Sequence, residues 1–499
     1  MSKTYSDYMD EIPKDELYSK LLTFGFFSEK LPPIFNSKSF AKHCIKRKEP
    51  YSLINYDYIR YDTIRNINTP RQIGIPVPFA YDNLCREIRD NCDSIKEHFH
   101  KCTEQQKHVI SRNHIHLKKD EPLFKMNYDD WYNSGSPKDS IQIGMKYVVK
   151  ADISTCFPSI YTHSLAWALV GKAEAKTNSK NRGIWYNKID NACRSMKSNE
   201  THGILIGPHS SNILSEIILC AIDRELSKKY LYVRNIDDYT CYVESREKAG
   251  DFIRDLVHEL SVYDLNLNHN KTIVETLPFL EDAKWVREIN SFDLISSHGM
   301  YDYRYVKAFL DLALDLMKAN GENAAILNYA IKVLSNKELT ENAKTYYYQK
   351  IEQLCLLYPY LIHLLDEYVF DHFSVPCNSI KEFSNYAFKS GYNSHNYEEC
   401  CFSIYFAIRY RFEIEEISEI VKLEEVDSCV FKLLYFLYLK KNNKQDLLNA
   451  CKKEAKKLKD DFDRNWLFVY EVLDINSFDN EWRELKKANI SFIKSDLRN

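Results

Sequence analysis

Three aspartates form the most chemically loaded pattern in this sequence. Asp152 sits near the end of the apolar run Tyr147–Ile153, and Asp237 and Asp238 stand side by side between YLYVRNI and YTCYV. The first pattern predicts a buried strand ending in a carboxylate. The second is rich in β-branched and aromatic residues on both flanks and predicts a strand, a tight turn with two carboxylates at its tip, and a second strand. Three such oxygen ligands suit a pair of hard divalent cations about 3.5–4 Å apart, the equipment for in-line displacement at phosphorus in phosphodiester synthesis. Carboxylates gathered in one place repel each other unless cations neutralise them, so the cluster is costly without metal. Adjacent aspartates alone say little, because aspartate favours turns; Asp129–Asp130 and Asp460–Asp461 in the same chain read as solvated turn or helix residues.

The segments around these residues must position them. Arg71–Asn91 reads as a proline-punctuated extended stretch followed by a helix from Tyr81. Ser159–Val170 reads as a helix entered through Pro158. His202–Lys229 opens with Gly203 and Gly207-Pro208, then places Ile213, Leu214, Ile217, Ile218 and Ala221 on one helical face. Arg246–Tyr263 reads as another helix, and Leu265–Pro278 (LNLNHNKTIVETLP) as a turn and a strand. Beyond about residue 290 the texture turns helical, with Val306, Phe309, Leu310, Ala313, Leu314 and Met317 on one stripe. Ile351–Val369, Ile404–Phe412 and Val430–Leu439 give further helices. No strand pattern and no exact repeat appear there; stacked helical pairs of solenoid type are compatible with it, though no period marks them. The expected fold class is α+β, with an antiparallel sheet in residues 71–288, an N-terminal segment 1–70 leading into it, and an all-helical region 289–499.

In this order the motifs resemble those of the reverse transcriptase superfamily. KADISTCFPSIYTHSLAWAL (Lys150–Leu169) resembles motif A, HGILIGPHSSNILSEIILCAID (His202–Asp223) motif B, VRNIDDYTCYV (Val233–Val243) motif C and LNLNHNKTIVE (Leu265–Glu275) motif D. The resemblance implies fingers and a palm with an antiparallel palm sheet. It implies Asp152, Asp237, Asp238 and the main chain of Ile153 as ligands to two Mg²⁺ ions, with Mn²⁺ as a substitute. It places Phe157 where DNA-making members keep an aromatic that clashes with a ribose 2′-hydroxyl. Lys271 falls where the family has a lysine suited to protonating departing pyrophosphate. Gly207 belongs to the nucleotide-binding motif, and Arg71, Lys118 and Lys119 fall in the expected fingers, where they could bind triphosphate. Two departures stand out: motif C has Asn235 where an aromatic is usual, and motif B offers Gly207-Pro208-His209 in place of Gln-Gly. Both lie where a templated enzyme grips its primer–template.

Within the superfamily, FPSIYTHSLAWAL, THGILIGPHSSNILSEI and the long helical C-terminal region are most similar to the abortive-infection, AbiK-like reverse transcriptases, including prophage-encoded members. That likeness implies untemplated DNA extension from deoxynucleotides and priming from a tyrosine of the protein. It further implies a single-stranded product left covalently attached, homo-oligomers, and a block on phage growth. Tyr5, Tyr8, Tyr18, Tyr51, Tyr56, Tyr58 and Tyr61 all precede the fingers; Tyr8, in a short polar segment, is the first choice and Tyr18 the second. A templated, retron-like enzyme and a non-catalytic nucleic-acid-binding scaffold are the alternatives.

Bulk properties narrow the setting. A hydrophobic fraction of 44% and an aromatic fraction of 14% suit a globular chain. The net charge of −3 means that any nucleic-acid surface is local; Lys42–Lys48 (KHCIKRK) and Lys118–Lys119 are candidates. Fourteen cysteines without CxxC pairs read as buried, reduced thiols of a cytoplasmic protein. His98, His100, His114 and His116 lack cysteine partners at zinc-ligand spacing. No segment approaches the roughly twenty apolar residues of a membrane span, and the polar, acidic N-terminus does not read as a signal peptide.

Overall fold

The computed structural model describes residues 3–112, 114–125, 136–278, 283–292 and 299–498; Asp129–Asp130 lies outside them. The fold is α+β: a fingers–palm domain with small antiparallel sheets, then an all-helical C-terminal region. The palm sheet has strands β3 (Tyr147–Asp152), β4 (Leu231–Asn235), β5 (Asp238–Val243) and β6 (Ile273–Thr276), in spatial order β4-β5-β3-β6, every pair antiparallel. Its residues alternate between two faces, as a pleated strand requires. Val149, Ala151, Tyr232, Tyr239, Cys241 and Val243 face the main core. Val148, Val233 and Tyr242 close a smaller cluster with Ile141 on the other face.

The helix Ser210–Leu226 runs through the core and is buried around most of its circumference. It packs against the helices Cys92–Thr103 and His163–Val170. Burial on all sides explains why its apolar residues exceed a single stripe. The expected helix Ser159–Val170 is split in two, Cys156–Ser159 and His163–Val170, because Thr162 is the boundary residue and main-chain bonds from Thr162 and Gly203 hold the intervening turn against the His202 loop.

A second antiparallel pair, β1 (Tyr58–Ile64) and β2 (Pro70–Pro76), forms the fingers hairpin. It straddles residue 70, so residues 58–76 form one unit across the boundary expected there. The short helix Tyr5–Asp10 is closed by a capping box in which Thr4 Oγ1 accepts the Asp7 N–H and the Asp7 carboxylate accepts the Thr4 N–H, a device worth about 1 kcal/mol.

From Tyr303 to Val472, successive helices pack in pairs, such as Cys377–Asn393 on Tyr397–Tyr410 and Cys429–Lys441 on Phe462–Val472. The single helix expected over Ile351–Val369 is instead the end of Glu341–Leu357 followed by tighter and wider turns over Pro359–Phe370, broken at Tyr358-Pro359. This region grips the fingers from behind. Glu398 accepts the Ile64 N–H at 2.6 Å, Arg464 pairs with Asp57 at 2.7 Å, and Asp463 accepts the Asp57 N–H. Phe26, Phe40, Trp466 and Phe492 share one aromatic cluster, and main-chain bonds link Ile34–Asn36 with Phe492–Lys494. Thirteen of the fourteen cysteines are buried, Cys377 being the exception, and none is in a disulfide. No helix among the described residues is long and apolar enough to cross a membrane.

Candidate active site

Strand register alone brings the aspartates together. Asp152, at the end of β3, pairs with Asp238, the first residue of β5. Asn235 pairs with the same Asp238, so Ile236 and Asp237 are the two residues of the β4–β5 turn. One carboxylate oxygen from each of Asp152, Asp237 and Asp238 lies within 4.8 Å of the others. Asp152 is buried, Asp237 half-buried and Asp238 exposed.

The electrostatics are those of an under-neutralised cluster. Burial, reinforced by the charge of Asp152, holds the Asp237 carboxyl above its ordinary range. Burial and the charges of Asp237 and Asp152 push Asp238 up to about 6. Lys271 Nζ lies 3.1 Å from Asp152 Oδ2, and Asn268 Nδ2 donates to the same oxygen at 2.9 Å. Main-chain bonds fix the frame: Asn268 N–H to the Asp152 carbonyl at 2.7 Å and Ile153 N–H to the Asp237 carbonyl at 3.2 Å. Three converging carboxylates, one of them buried, fit hard divalent cations of the Mg²⁺ class, and among the described residues this is the group that could hold a metal ion.

A cleft of about 500 Å³ opens beside the hairpin tip at Ile236 and runs past Gly207 to Tyr360 and His363 of the helical region. Arg71 lines it; burial and Arg65 hold its guanidinium below the usual value, while the nearby charge of Asp237 acts in the opposite direction. Gly207 has φ +125°, and a Cβ there would stand 2.8 Å from Ile73 Cγ2 of β2, so glycine is required for the loop to lie this close to the fingers. Gly203 is similarly constrained, at φ +81° with Pro158 O 2.8 Å from a would-be Cβ. Phe157 is half-buried, and its carbonyl accepts the Ile204 N–H of the same loop at 3.0 Å.

The other expected residues are placed as follows. Lys118 and Lys119 are exposed, Lys118 is paired with Glu121 at 3.2 Å, and neither lines the cleft. Tyr8 is half-buried beneath Lys3, on the helix whose first residue, Tyr5, lines the cleft. Tyr18 is buried and donates its hydroxyl to Asp82. His98 bonds the Ile217 carbonyl, His100 pairs with Asp10 and His114 bonds Asn235, so these histidines serve separate partners.

The cleft also contains residues that spacing did not single out. Arg65, Arg112 and Lys125 supply cations alongside Arg71, and His209 is kept neutral by burial, which pushes it down to about 4. The cations come from three separate segments with no run of like charge, so no local signal marked them. His209 was visible in Gly207-Pro208-His209, but only as a departure from motif B.

Residues 80–293, the span containing all three aspartates, match the family model described as reverse transcriptase (RNA-dependent DNA polymerase). Among solved structures, telomerase from Candida albicans in complex with the TWJ fragment of telomeric RNA is 13% identical, over 77% of this chain and 67% of that one, with a TM-score of 0.32. Apo telomerase from Candida tropicalis is 11% identical, over 79% and 68%, with a TM-score of 0.33. Scores this low carry no argument about this chain. No curated protein matches it.

Proposed function

Because residues 80–293 carry a reverse-transcriptase domain, whose chemistry is nucleotidyl transfer of the polymerase type, we propose that this protein is a template-independent DNA polymerase, primed from one of its own tyrosines and acting in phage defence. The observation that carries the polymerase reading is the convergence of Asp152, Asp237 and Asp238 within 4.8 Å beside a cation-lined cleft. None of the three aspartates lines that cleft, which meets them at Ile236 of the hairpin tip, and its cations Arg65, Arg71, Arg112 and Lys125 stand among Glu29, Glu216 and Glu398.

In this reading the three carboxylates and the Ile153 main chain hold two Mg²⁺ ions, which when bound supply the positive charge that a transferring phosphoryl group needs. Arg71, with Arg112 and Lys125, orients the triphosphate. Phe157, held against the Ile204 loop, excludes a ribose 2′-hydroxyl. Lys271, now on Asp152, gives a proton to the departing pyrophosphate.

Template independence is supported by the residues that replace a primer–template grip: Asn235, held by His114, and Gly207-Pro208-His209, in which Gly207 lies against β2 and His209 against Gly25 and Phe124. Tyr8 is the preferred primer, since its helix forms part of the cleft wall, whereas Tyr18 would first have to leave a buried hydrogen bond. The AbiK-like wording of motifs A and B supports the defence role and a homo-oligomeric assembly.

Intact-mass analysis after incubation with Mg²⁺ and deoxynucleotides, without template, tests the reading. A ladder of nucleotide masses on the chain is expected, absent in Asp237→Asn and abolished by Tyr8→Phe. Unmodified mass in wild type and variant alike rejects protein priming, and product that copies an added RNA rejects template independence.

A further inference from the structure

The turn carrying Asp237 is held in an unfavourable backbone conformation. Ile236 has φ +57°, a left-handed geometry that a β-branched residue avoids and that persists only where its surroundings fix it. What fixes it lies behind the hairpin. The Ile236 carbonyl accepts a hydrogen bond from Arg234 Nη1 at 2.8 Å. Arg234 is fully buried, an uncommon place for a guanidinium unless it is paired.

Its pairing is complete. Nε and Nη2 donate to Asp223 Oδ2 at 2.8 and 2.6 Å, and Nη1 and Nη2 donate to the two oxygens of Glu216 at 3.1 and 2.8 Å. With the Ile236 carbonyl, these bonds engage all five N–H donors of the side chain. Glu216 and Asp223 are seven residues apart, two turns along the buried helix Ser210–Leu226, so both present from one face. The main chain of Arg234 is also anchored, its N–H on the Ile110 carbonyl and its carbonyl on the Arg112 N–H, both at 2.8 Å. Asp237 is therefore clamped at both adjoining peptide groups: the Ile236 carbonyl before it by Arg234, and its own carbonyl by Ile153.

We infer that Arg234 is a positioning residue, whose guanidinium ties the core helix to the strained Ile236 turn and thereby holds the Asp237 carboxylate in register with Asp152 and Asp238 for divalent-cation binding. This role rests on the reading of the three aspartates as the metal site. Lysine at 234 keeps the charge but lacks the planar fork that reaches two carboxylates and a carbonyl at once.

Mn²⁺ binding to the full chain, measured by calorimetry and paramagnetic resonance without nucleotide, tests the inference independently of activity. Arg234→Lys is expected to raise the Mn²⁺ dissociation constant at least tenfold. Asp223→Asn leaves an amide oxygen for Arg234 and the Ile236 bond intact, and is expected to lower thermal stability yet bind Mn²⁺ within twofold of wild type. Replacing the set with apolar residues (Arg234→Met with Glu216→Leu and Asp223→Leu), a change that buried ion networks often survive, removes the anchor in a chain that still folds; it is expected to lose Mn²⁺ affinity at least tenfold. Wild-type Mn²⁺ affinity in Arg234→Lys or in the apolar triple variant overturns the inference, as does a loss in Asp223→Asn that tracks its lost stability. Asp237→Asn in parallel separates the two readings. Unchanged Mn²⁺ binding there rejects the carboxylate site itself, whereas a tenfold loss there with none in Arg234→Lys rejects the role of Arg234 alone.

Discussion

The front and the back of the β4–β5 hairpin are both acidic, yet they are built on opposite principles. Behind it, two buried carboxylates are saturated by Arg234 and, at Asp223, by the Tyr232 hydroxyl. In front, Lys271, 60% exposed, pairs with Asp152, and Arg71 is a further cation near Asp237. The rear is a completed network in which each charge is answered within the chain. At the front, burial first and the mutual repulsion of the carboxylates second raise Asp237 and Asp238 above the ordinary carboxylate range. Burial raises Asp223 behind as well, so what sets the front apart, among the described residues, is the lack of a guanidinium that pairs with its carboxylates, as suits ligands whose counter-ion arrives from solution. Removing an acid should therefore cost function in front and stability behind.

The largest effect expected is in front. Asp152→Asn or Asp237→Asn should lower single-turnover nucleotide addition at least about 10⁴-fold, about 5 kcal/mol of transition-state stabilisation, while urea unfolding of the metal-free protein shows no loss of stability. Comparable losses of stability there would erase the distinction between the two faces. Behind the hairpin, Arg234→Met strands two buried carboxylates and should cost about 3–5 kcal/mol in urea unfolding. Lys271→Met should slow nucleotide addition about 10²-fold, and Lys271→Arg, which keeps the charge but does not give up a proton, should restore little of the loss; full rescue by arginine would make Lys271 a neutralising cation only.

The smallest effect is a pH dependence. In the folded chain Asp238 sits at about 6, above the value near 4 of an unfolded aspartate, so the folded state binds this proton more tightly. Its contribution to stability is therefore present at acid pH and lost as pH rises from about 4 through 6, leaving the full deficit at pH 7–8. For this exposed carboxylate the difference should be on the order of 1 kcal/mol after solvent screening. It should be visible as a slope in metal-free unfolding midpoints that Asp238→Asn flattens and saturating Mg²⁺ abolishes.

Much of the front was legible in the sequence because it rests on strands, whose period of two and turn chemistry are local signals. Asp152 at a strand end and Asp237–Asp238 at a hairpin tip could be read directly. Asp460–Asp461, the same dipeptide, ends in an exposed turn beside the helix Phe462–Val472, and its flanks carry no strand pattern. The rear was harder to read, since Arg234 in the apolar strand and Glu216 and Asp223 in the apolar helix each look like an isolated charge. Their meaning appears only when the helix is laid against the strand. One sign was available: three charged residues within otherwise apolar stretches seldom stay buried unless they meet. Of the cleft cations Arg71 was anticipated, whereas Arg65, Arg112 and Lys125 are gathered by tertiary packing and left no local signal, and the lysine pair suggested with Arg71, Lys118–Lys119, lies on the exterior.

The aromatic cluster of Phe26, Phe40, Trp466 and Phe492 belongs equally to the fingers side and to the helical region, and the backbone hydrogen bonds between Ile34–Asn36 and Phe492–Lys494 stitch the two along its margin. Neither half can therefore melt while its neighbour keeps an intact interior. Heating should accordingly give one calorimetric peak with matching van't Hoff and calorimetric enthalpies, and a cut in the far helices would be felt at the aspartate-bearing hairpin as a loss of cohesion.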